Sequence, residues 1–147
     1  MKTLQAGSVI SGAAGTSSVI NCTIYGLEKK GATNTYKILY QGQLSSGTIY
    51  TVPADTITMI REIDLVNTSA SQVTGIQLKI DSDAIIPPFV LEADGLAHYG
   101  TEGWKFYDKY GYLLTKRAEV NVLVGTSAVP PSATGLPDGT RYYQYIP

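Results

Sequence analysis

The residue of this sequence best suited to general acid–base catalysis is its single histidine, His98, in the stretch GLAHYGTEGW. A hydrolytic triad would combine it with a serine and with Asp94 or Glu102. However, the sequence lacks the Gly-x-Ser-x-Gly pattern that presents the nucleophilic serine in one large class of hydrolases, and most proteins contain these residue types somewhere. We therefore interpret His98 as a polar strand residue near a turn, and we expect no catalytic residues and no enzymatic activity.

A second group of residues that could take part in chemistry is formed by the carboxylates on either side of the proline-containing segment AIIPPFVL. These are Asp81, Asp83, Glu92 and Asp94. Carboxylates at loop ends are suitable ligands for a calcium ion, which binds several oxygen atoms. Their spacing does not match the helix-loop-helix calcium motif, and Asp-Ser-Asp and Ala-Asp-Gly are common turn sequences. The stretch GAAGTSS also lacks the Gly-Lys-Ser/Thr end of a phosphate-binding loop. We expect no metal site and no cofactor.

The single cysteine, Cys22, excludes an internal disulfide and a zinc site built from several cysteines. It alternates with Ile20 and Ile24, which predicts a buried strand residue rather than a reactive thiol. The triplets that begin at Asn21 and Asn67 match the N-glycosylation pattern, but the first residues of the chain lack the continuous apolar segment of a secretion signal. We therefore interpret both triplets as chance matches.

Composition and charge narrow the classes of partner. The 147 residues carry a formal net charge of −1, which argues against a nucleic-acid-binding protein that relies on a general basic field. No apolar run approaches the roughly 18 residues of a membrane-spanning helix. Charged residues make up 16% of the chain, below the roughly 25% of an average soluble domain, which suits a surface that protein partners cover.

The elements that position these residues are predicted to be short strands, because apolar and polar residues alternate and helical periodicity is absent. We expect about eight to ten strands in an antiparallel β-sandwich of jelly-roll-like type, since no crossover helices are available for a parallel sheet. In TYKILYQGQL the alternation places Tyr36, Ile38 and Tyr40 on one face. In TITMIREIDLVNTS the alternation slips at Ile60, which indicates a β-bulge.

The β-sandwich domain is predicted to occupy residues 16–127, between two flanks that lack a core-forming pattern. The C-terminal flank, residues 128–147, contains several prolines, which favour an extended conformation. We expect it to be an extended arm that lies on a neighbouring subunit and adds to the contact area, while a frayed terminus or a strand of its own domain are the alternatives. Residues 1–15 are expected to form an N-terminal arm. The predicted interface residues of the C-terminal arm are Tyr142, Tyr143, Tyr145 and Ile146.

The most unusual stretch is HYGTEGWKFYDKYGY, residues 98–112, because of its density of aromatic residues. Some of these side chains belong in a sandwich core. Others would suit a protein interface, since Tyr and Trp provide large, rigid contact areas, and a third alternative is stacking on a surface glycan. We take Trp104, Tyr107 and Tyr110 as candidate interface residues.

The segment TIYTVPADTITMIREIDLVNTSASQVTGIQLKID resembles small virion structural proteins of tailed bacteriophages: a strand ending in Val-Pro-Ala, a long strand running into Asn-Thr-Ser, and an alternating strand. AIIPPFVLEADGLAHY is similar to the next element of that group, and YKILYQGQL precedes it. The resemblance covers roughly residues 36–125 and departs from the group at EGWKFYDKYGYLL, where a plainer strand and turn is expected.

The resemblance implies a non-enzymatic β-sandwich component of the virion, made in the cytoplasm of the host bacterium. Its expected role is that of a capsid decoration, or cement, protein, which stabilises the shell through subunit contacts and terminal arms. The implied partners are the major capsid protein or other virion proteins, together with further copies of the chain, with a trimer favoured. An accessory protein of the neck or tail, or a glycan-binding receptor module, is the alternative.

Overall fold

A computed structural model of the chain describes residues 2–114 and two further strands, residues 122–125 and 141–144. The chain divides into two compact units, Met1–Leu113 and Leu114–Pro147. The strands of the first unit are β1 (Lys2–Leu4), β2 (Val9–Ala13), β3 (Ile20–Lys30), β4 (Thr33–Gln43), β5 (Gly47–Thr51), β6 (Thr56–Asn67), β7 (Val73–Ile80), β8 (Asp83–Ala84), β9 (Phe89–Leu91), β10 (Leu96–Gly100) and β11 (Gly103–Tyr107).

These strands form two antiparallel sheets. Sheet I has the order β11-β10-β6-β3-β4, with β1 paired to β6 beside β10, and sheet II has the order β5-β2-β7-β8, with β9 also paired to β7. Neither sheet contains a parallel pair. Alternation of apolar and polar residues along each strand gives each sheet one buried face, as expected for antiparallel sheets.

A single hydrophobic core lies between the two buried faces, and most of its members are completely inaccessible. Apolar side chains from both sheets pack together in it, which is consistent with the predicted β-sandwich. The prediction of an all-β protein is confirmed, and no helix of the described residues is long or apolar enough to span a membrane. The central core residues are Ile20, Ile24, Ile63 and Leu65 of sheet I and Ile10, Val73, Ile76 and Leu78 of sheet II.

Residues 2–13 form strands of the two sheets, whereas the sequence predicts an N-terminal arm over residues 1–15. Strand β1 pairs with β6 in sheet I, and β2 pairs with both β5 and β7 in sheet II. Leu4 and Ile10 are buried in the core, at 2% and 0% exposure. Residues 2–13 therefore belong to the sandwich, because two well-spaced apolar side chains are enough to anchor strands that both sheets can pair with.

Two β-bulges lie beside Tyr25 and Gly26 of β3, one in each neighbouring strand of sheet I. Tyr25 pairs with Glu62 while Gly26 pairs with Ile60, so β6 has an extra residue at position 61, and this confirms the irregularity predicted near Ile60. On the other side, Ile24 pairs with Tyr40 while Tyr25 pairs with Ile38, so β4 has an extra residue at position 39.

The bulge in β4 corrects the predicted placement of its side chains. Tyr40 stands opposite the buried Ile24 and packs against the core, whereas Tyr36 and Ile38 lie on the outer face of sheet I. The prediction that all three share one face is wrong, because an inserted residue reverses the alternation that the pattern relies on.

In the second unit, β12 (Val122–Gly125) and β13 (Arg141–Gln144) form a two-stranded parallel sheet. β12 lies within the predicted sandwich domain, residues 16–127, and β13 lies within the predicted C-terminal arm, residues 128–147. The rest of the predicted C-terminal arm lies outside the described residues, so the extended arm stays a prediction.

Candidate interaction surface

His98 lies on the outer face of sheet I, where its partner is Asp64 rather than Asp94 or Glu102. The Nδ1–H of His98 donates to Oδ1 of Asp64 across the β10–β6 pair, at 2.7 Å, and both side chains are one-third exposed. A shallow depression of about 150 Å³ beside His98 is lined by Thr101, Glu102, Lys105 and neighbouring residues, with no serine or cysteine among them. The hydrogen bond to Asp64 fixes the orientation of the imidazole.

Two of the four carboxylates considered for calcium, Asp81 and Asp94, lie in turns. Asp81 and Asp94 both have positive φ, near 54°, a conformation that Asp tolerates better than most residues in tight turns. Oδ1 of Asp81 accepts a hydrogen bond from the backbone N–H of Val9 at 2.8 Å. Within the described part of the chain, no three metal-binding side chains cluster.

Cys22 and Asn67 are both buried on the inner side of sheet I. Burial, with a smaller contribution from the Asp64 carboxylate, raises the pKa of the Cys22 thiol to about 12. The side-chain amide of Asn67 donates to the backbone carbonyls of Ser71 and Glu92, at 2.8 and 2.9 Å, and its oxygen accepts from Ser69. Its amide nitrogen is thus occupied within the fold and inaccessible to a glycan, which agrees with a chance match.

The aromatic stretch divides between the core and the surface. Trp104 packs against Phe89 and Tyr99, with ring centroids 6.0 and 5.4 Å apart, and so contributes to the core, while its role in an interface stays a prediction. Tyr107 is half-buried on the outer face, beside the depression next to His98. Tyr110 is 72% exposed, which leaves its ring available for a contact.

The remaining predicted interface residues fall in the second unit. Tyr142 and Tyr143 are part of strand β13, where they are opposite Leu123 and Val124 in the parallel register. Tyr145 and Ile146 lie outside the described residues. Their role in an interface stays a prediction.

The structure brings together a different set of apolar side chains, which we call the outer patch: Tyr25, Leu27, Tyr36, Ile38, Ile57 and Met59. Antiparallel register places Leu27 between Tyr36 and Met59 in one row across the strands, and Tyr25 beside Ile38 in the next row. Ile57 and Met59 alternate along β6 with the buried Thr56, Thr58 and Ile60, so they also point outward. Tyr36, Ile38 and Ile57 are 58%, 46% and 37% exposed.

The inner face beneath the outer patch is unusually polar. Thr56 and Thr58 are buried at 4% and 0% exposure, where the strand pattern would ordinarily place aliphatic residues. The Tyr50 hydroxyl lies 3.0 Å from Oγ1 of Thr58 and donates to Oε1 of Glu28 at 2.7 Å. This end of sheet I therefore has several polar side chains inside, next to the buried Leu4 and Ile60, and a group of apolar side chains outside.

Charge and hydrogen bonding stabilise the polar side chains of Glu28, Tyr50 and Thr58 at this end of sheet I. Burial alone would raise the pKa of Glu28, but the hydrogen bonds from Tyr50 and Lys37 outweigh it, so the pKa of Glu28 is lowered. For Tyr50, burial and the neighbouring Glu28 carboxylate raise the pKa to about 12. The phenol is therefore neutral at physiological pH and remains the donor of this hydrogen bond.

Sequence reasoning missed the outer patch, although a signal was present. Ile57, Met59, Tyr36 and Ile38 follow the alternation of a buried face, and the sequence alone does not say which of the two faces of a strand is the buried one. The threonines at positions 56 and 58 form an equally regular row, and threonine is common on either face.

Comparison with known proteins gives no relative: no family model, no curated protein and no solved structure matches this chain.

Proposed function

We propose that this chain is a non-enzymatic structural subunit of a tailed-bacteriophage virion, in particular a capsid decoration protein that stabilises the shell through subunit contacts. The proposal rests on the sequence resemblance over residues 36–125 and on one structural observation. That observation is the inverted end of sheet I, where the outer patch faces solvent and threonines face the core.

An inverted face favours association for a physical reason. Burying an aliphatic or aromatic side chain is worth about 1.5–3 kcal/mol, and sheet I leaves this gain unused at Tyr36, Ile38 and Ile57. Contiguous exposed apolar surface of this kind is typical of protein–protein contacts rather than of isolated soluble domains. A partner that covers the outer patch recovers that free energy.

The proposed assembly has the major capsid protein as its principal partner. In this proposal the sandwich is jelly-roll-like, residues 128–147 reach a neighbouring subunit, and copies of the chain are arranged on the shell as the trimer implied by the resemblance. The outer patch supplies the apolar centre of the contact, and the charged side chains that adjoin it, Lys29 opposite Ile57 and Glu62 opposite Tyr25, lie at its rim.

Co-sedimentation with capsids of the parent phage, stripped of this protein, tests the proposal. We compare the wild-type chain with Ile57→Lys in the outer patch and with Val90→Lys, a matched control at an exposed valine of β9 on sheet II. A second positive charge beside Lys29 within the contact is expected to weaken capsid binding roughly tenfold or more, while the control binds like the wild type. Equal capsid binding by all three proteins, or none by the wild type, would refute the proposal.

A glycan-binding module, at the neck, tail or receptor-binding end of a virion, is the second candidate. It is favoured by Tyr110 and Tyr112, which are both more than 70% exposed, with ring centroids 6.5 Å apart and Lys109 beside the Tyr110 ring. Saturation-transfer NMR with a panel of oligosaccharides tests it. Binding that Tyr112→Ala abolishes would support this function, and no transfer at millimolar glycan would exclude it.

A further inference from the structure

Strand β4 is an open edge of sheet I. Its 11 residues, Thr33–Gln43, pair with β3 on one side, and no described strand pairs with the other side. Proteins that keep an edge unpaired usually protect it with prolines, outward charges or a bulge. β4 contains no proline, and its one charged residue, Lys37, turns back to Glu28 on β3 at 3.1 Å.

The bulge at position 39 divides β4 into two parts. Residues 33–38 keep a continuous antiparallel register with β3, and they span about 20 Å at roughly 3.4 Å per residue. The outward-facing residues of this part are Asn34, Tyr36 and Ile38, so its edge adjoins the outer patch directly. The regular half of β4 is thus long enough to accept another strand and lacks a feature that would repel one.

We propose that β4 pairs antiparallel with β4 of a second copy of this chain, with the two-fold axis at Tyr36. In this register Tyr36 is opposite Tyr36 of the second copy, Asn34 is opposite Ile38, and Thr35 is opposite Lys37. The pairing joins two sheets I into one continuous sheet and brings both outer patches onto the same face. It goes beyond the virion function, because it specifies a contact between free copies of the chain.

The pattern of side chains selects this register and this occupant. A two-fold axis at Lys37 would place two ammonium groups directly opposite each other, and an axis at Ile38 would carry the pairing across the bulge. The axis at Tyr36 opposes no like charges and pairs two aromatic rings that are 58% exposed in the single chain. With a net charge of −1, two whole chains also approach each other with little repulsion.

Introducing a positive charge at Tyr36 in one variant and a negative charge in another tests the proposal with the full chain. The masses of the wild type, Tyr36→Lys, Tyr36→Glu and an equimolar mixture of the two variants are measured by sedimentation velocity over a concentration series. Val90→Lys is the control for an added charge at another exposed apolar position. Far-UV circular dichroism and thermal melts check that each variant is folded, as expected for substitutions at an exposed side chain.

The wild type and the control are expected to reach twice 15.8 kDa. Each single variant is expected to dimerise at least roughly tenfold more weakly than the wild type, because like charges meet at the axis. The mixture should regain dimers, because opposite charges then meet there. A monomeric wild type, dimers that persist in both variants, or a mixture that stays monomeric would overturn the proposal. A trimer that forms equally well in the wild type and in both variants would also overturn the proposal, because β4 paired with itself has only two-fold symmetry. None of these outcomes depends on binding to a capsid.

Discussion

Replacing Gly26 by alanine tests whether the meeting point of the two bulges is as tightly packed as the structure indicates. A Cβ atom at position 26 would lie 2.5 Å from Cδ1 of Leu39 and 2.7 Å from the carbonyl oxygen of Met59. Ordinary contacts are about 3.5–4.0 Å, so both neighbours must move. Leu39 has a flexible end, but the Met59 oxygen belongs to the backbone of β6, which β3 and β1 hold in place.

We expect Gly26→Ala to lower the free energy of unfolding by about 2 kcal/mol. Overpacking typically costs about 1–3 kcal/mol, here near the upper end because one of the two crowded neighbours is a backbone atom, and the reduced entropy of the unfolded chain offsets roughly 0.4–1 kcal/mol of it. This corresponds to a fall in melting temperature of roughly 6–10 °C. Gly42→Ala is the control, because the atoms nearest its Cβ all belong to the Tyr40 side chain, which can shift at the expense of its hydrogen bond to the Gln43 carbonyl, and we expect it to cost about 1 kcal/mol.

A double-mutant cycle with Leu39→Ala, measured by urea denaturation, separates the two contacts. Removing the Leu39 side chain makes room for the new methyl group, so Gly26→Ala should be less damaging in that background, with a coupling of about 1 kcal/mol. The contact with the Met59 oxygen remains, so some destabilisation should persist. A neutral Gly26→Ala, or strictly additive effects in the cycle, would refute the description of this packing.

Three further predictions concern Cys22, Asn67 and Glu28. The Cys22 thiol should resist alkylation by iodoacetamide at pH 8 in the folded chain and react in urea, and rapid labelling of the native protein would contradict its burial. Asn67→Ala should destabilise the fold by about 3 kcal/mol in urea titrations, because several buried backbone groups lose their partners, while the exposed Asn34→Ala should have little effect. Because the pKa of Glu28 is lowered in the fold, its contribution to stability is present above pH ~4.5 and is lost as pH falls through the folded pKa. Tyr50→Phe should therefore make the decrease in the free energy of unfolding at acidic pH, measured by denaturation, less steep. An unchanged pH dependence would contradict the hydrogen bond between Tyr50 and Glu28.

Alternation of residue types is a strong enough signal to predict the strands of the sandwich. Ile20, Cys22 and Ile24 alternate with polar residues and are all buried, as expected. The slip near Ile60 also indicated a real bulge. Both predictions depend only on the two-residue period of a strand, which is a local property of the chain.

Side-chain placement beyond a bulge could not be predicted, because it depends on pairing between strands distant in sequence. Nothing in TYKILYQGQL itself indicates that Leu39 is the extra residue, since that follows from the space left beside Gly26 on β3. The same reason applies to the N-terminal residues, since Leu4 and Ile10 are buried only once β6 and β7 are present to pair with.

The pairing of His98 with Asp64 was equally inaccessible to sequence reasoning. The two residues are 34 positions apart and meet through the register of β10 with β6. Residues close in sequence, such as Asp94 and Glu102, were the natural candidates, but neighbours along a strand or turn often point away from each other.

Hydroxyl-radical footprinting tests most directly whether the outer patch is where this chain meets other molecules. Oxidation rates of Tyr36 and Met59 are compared between the dilute chain and the chain bound to capsids, with the exposed Tyr112 as internal reference. Covering of the outer patch predicts that the rates at Tyr36 and Met59 fall several-fold while that of Tyr112 is unchanged. Unchanged oxidation rates at Tyr36 and Met59, relative to that of Tyr112, would contradict the assignment of this surface.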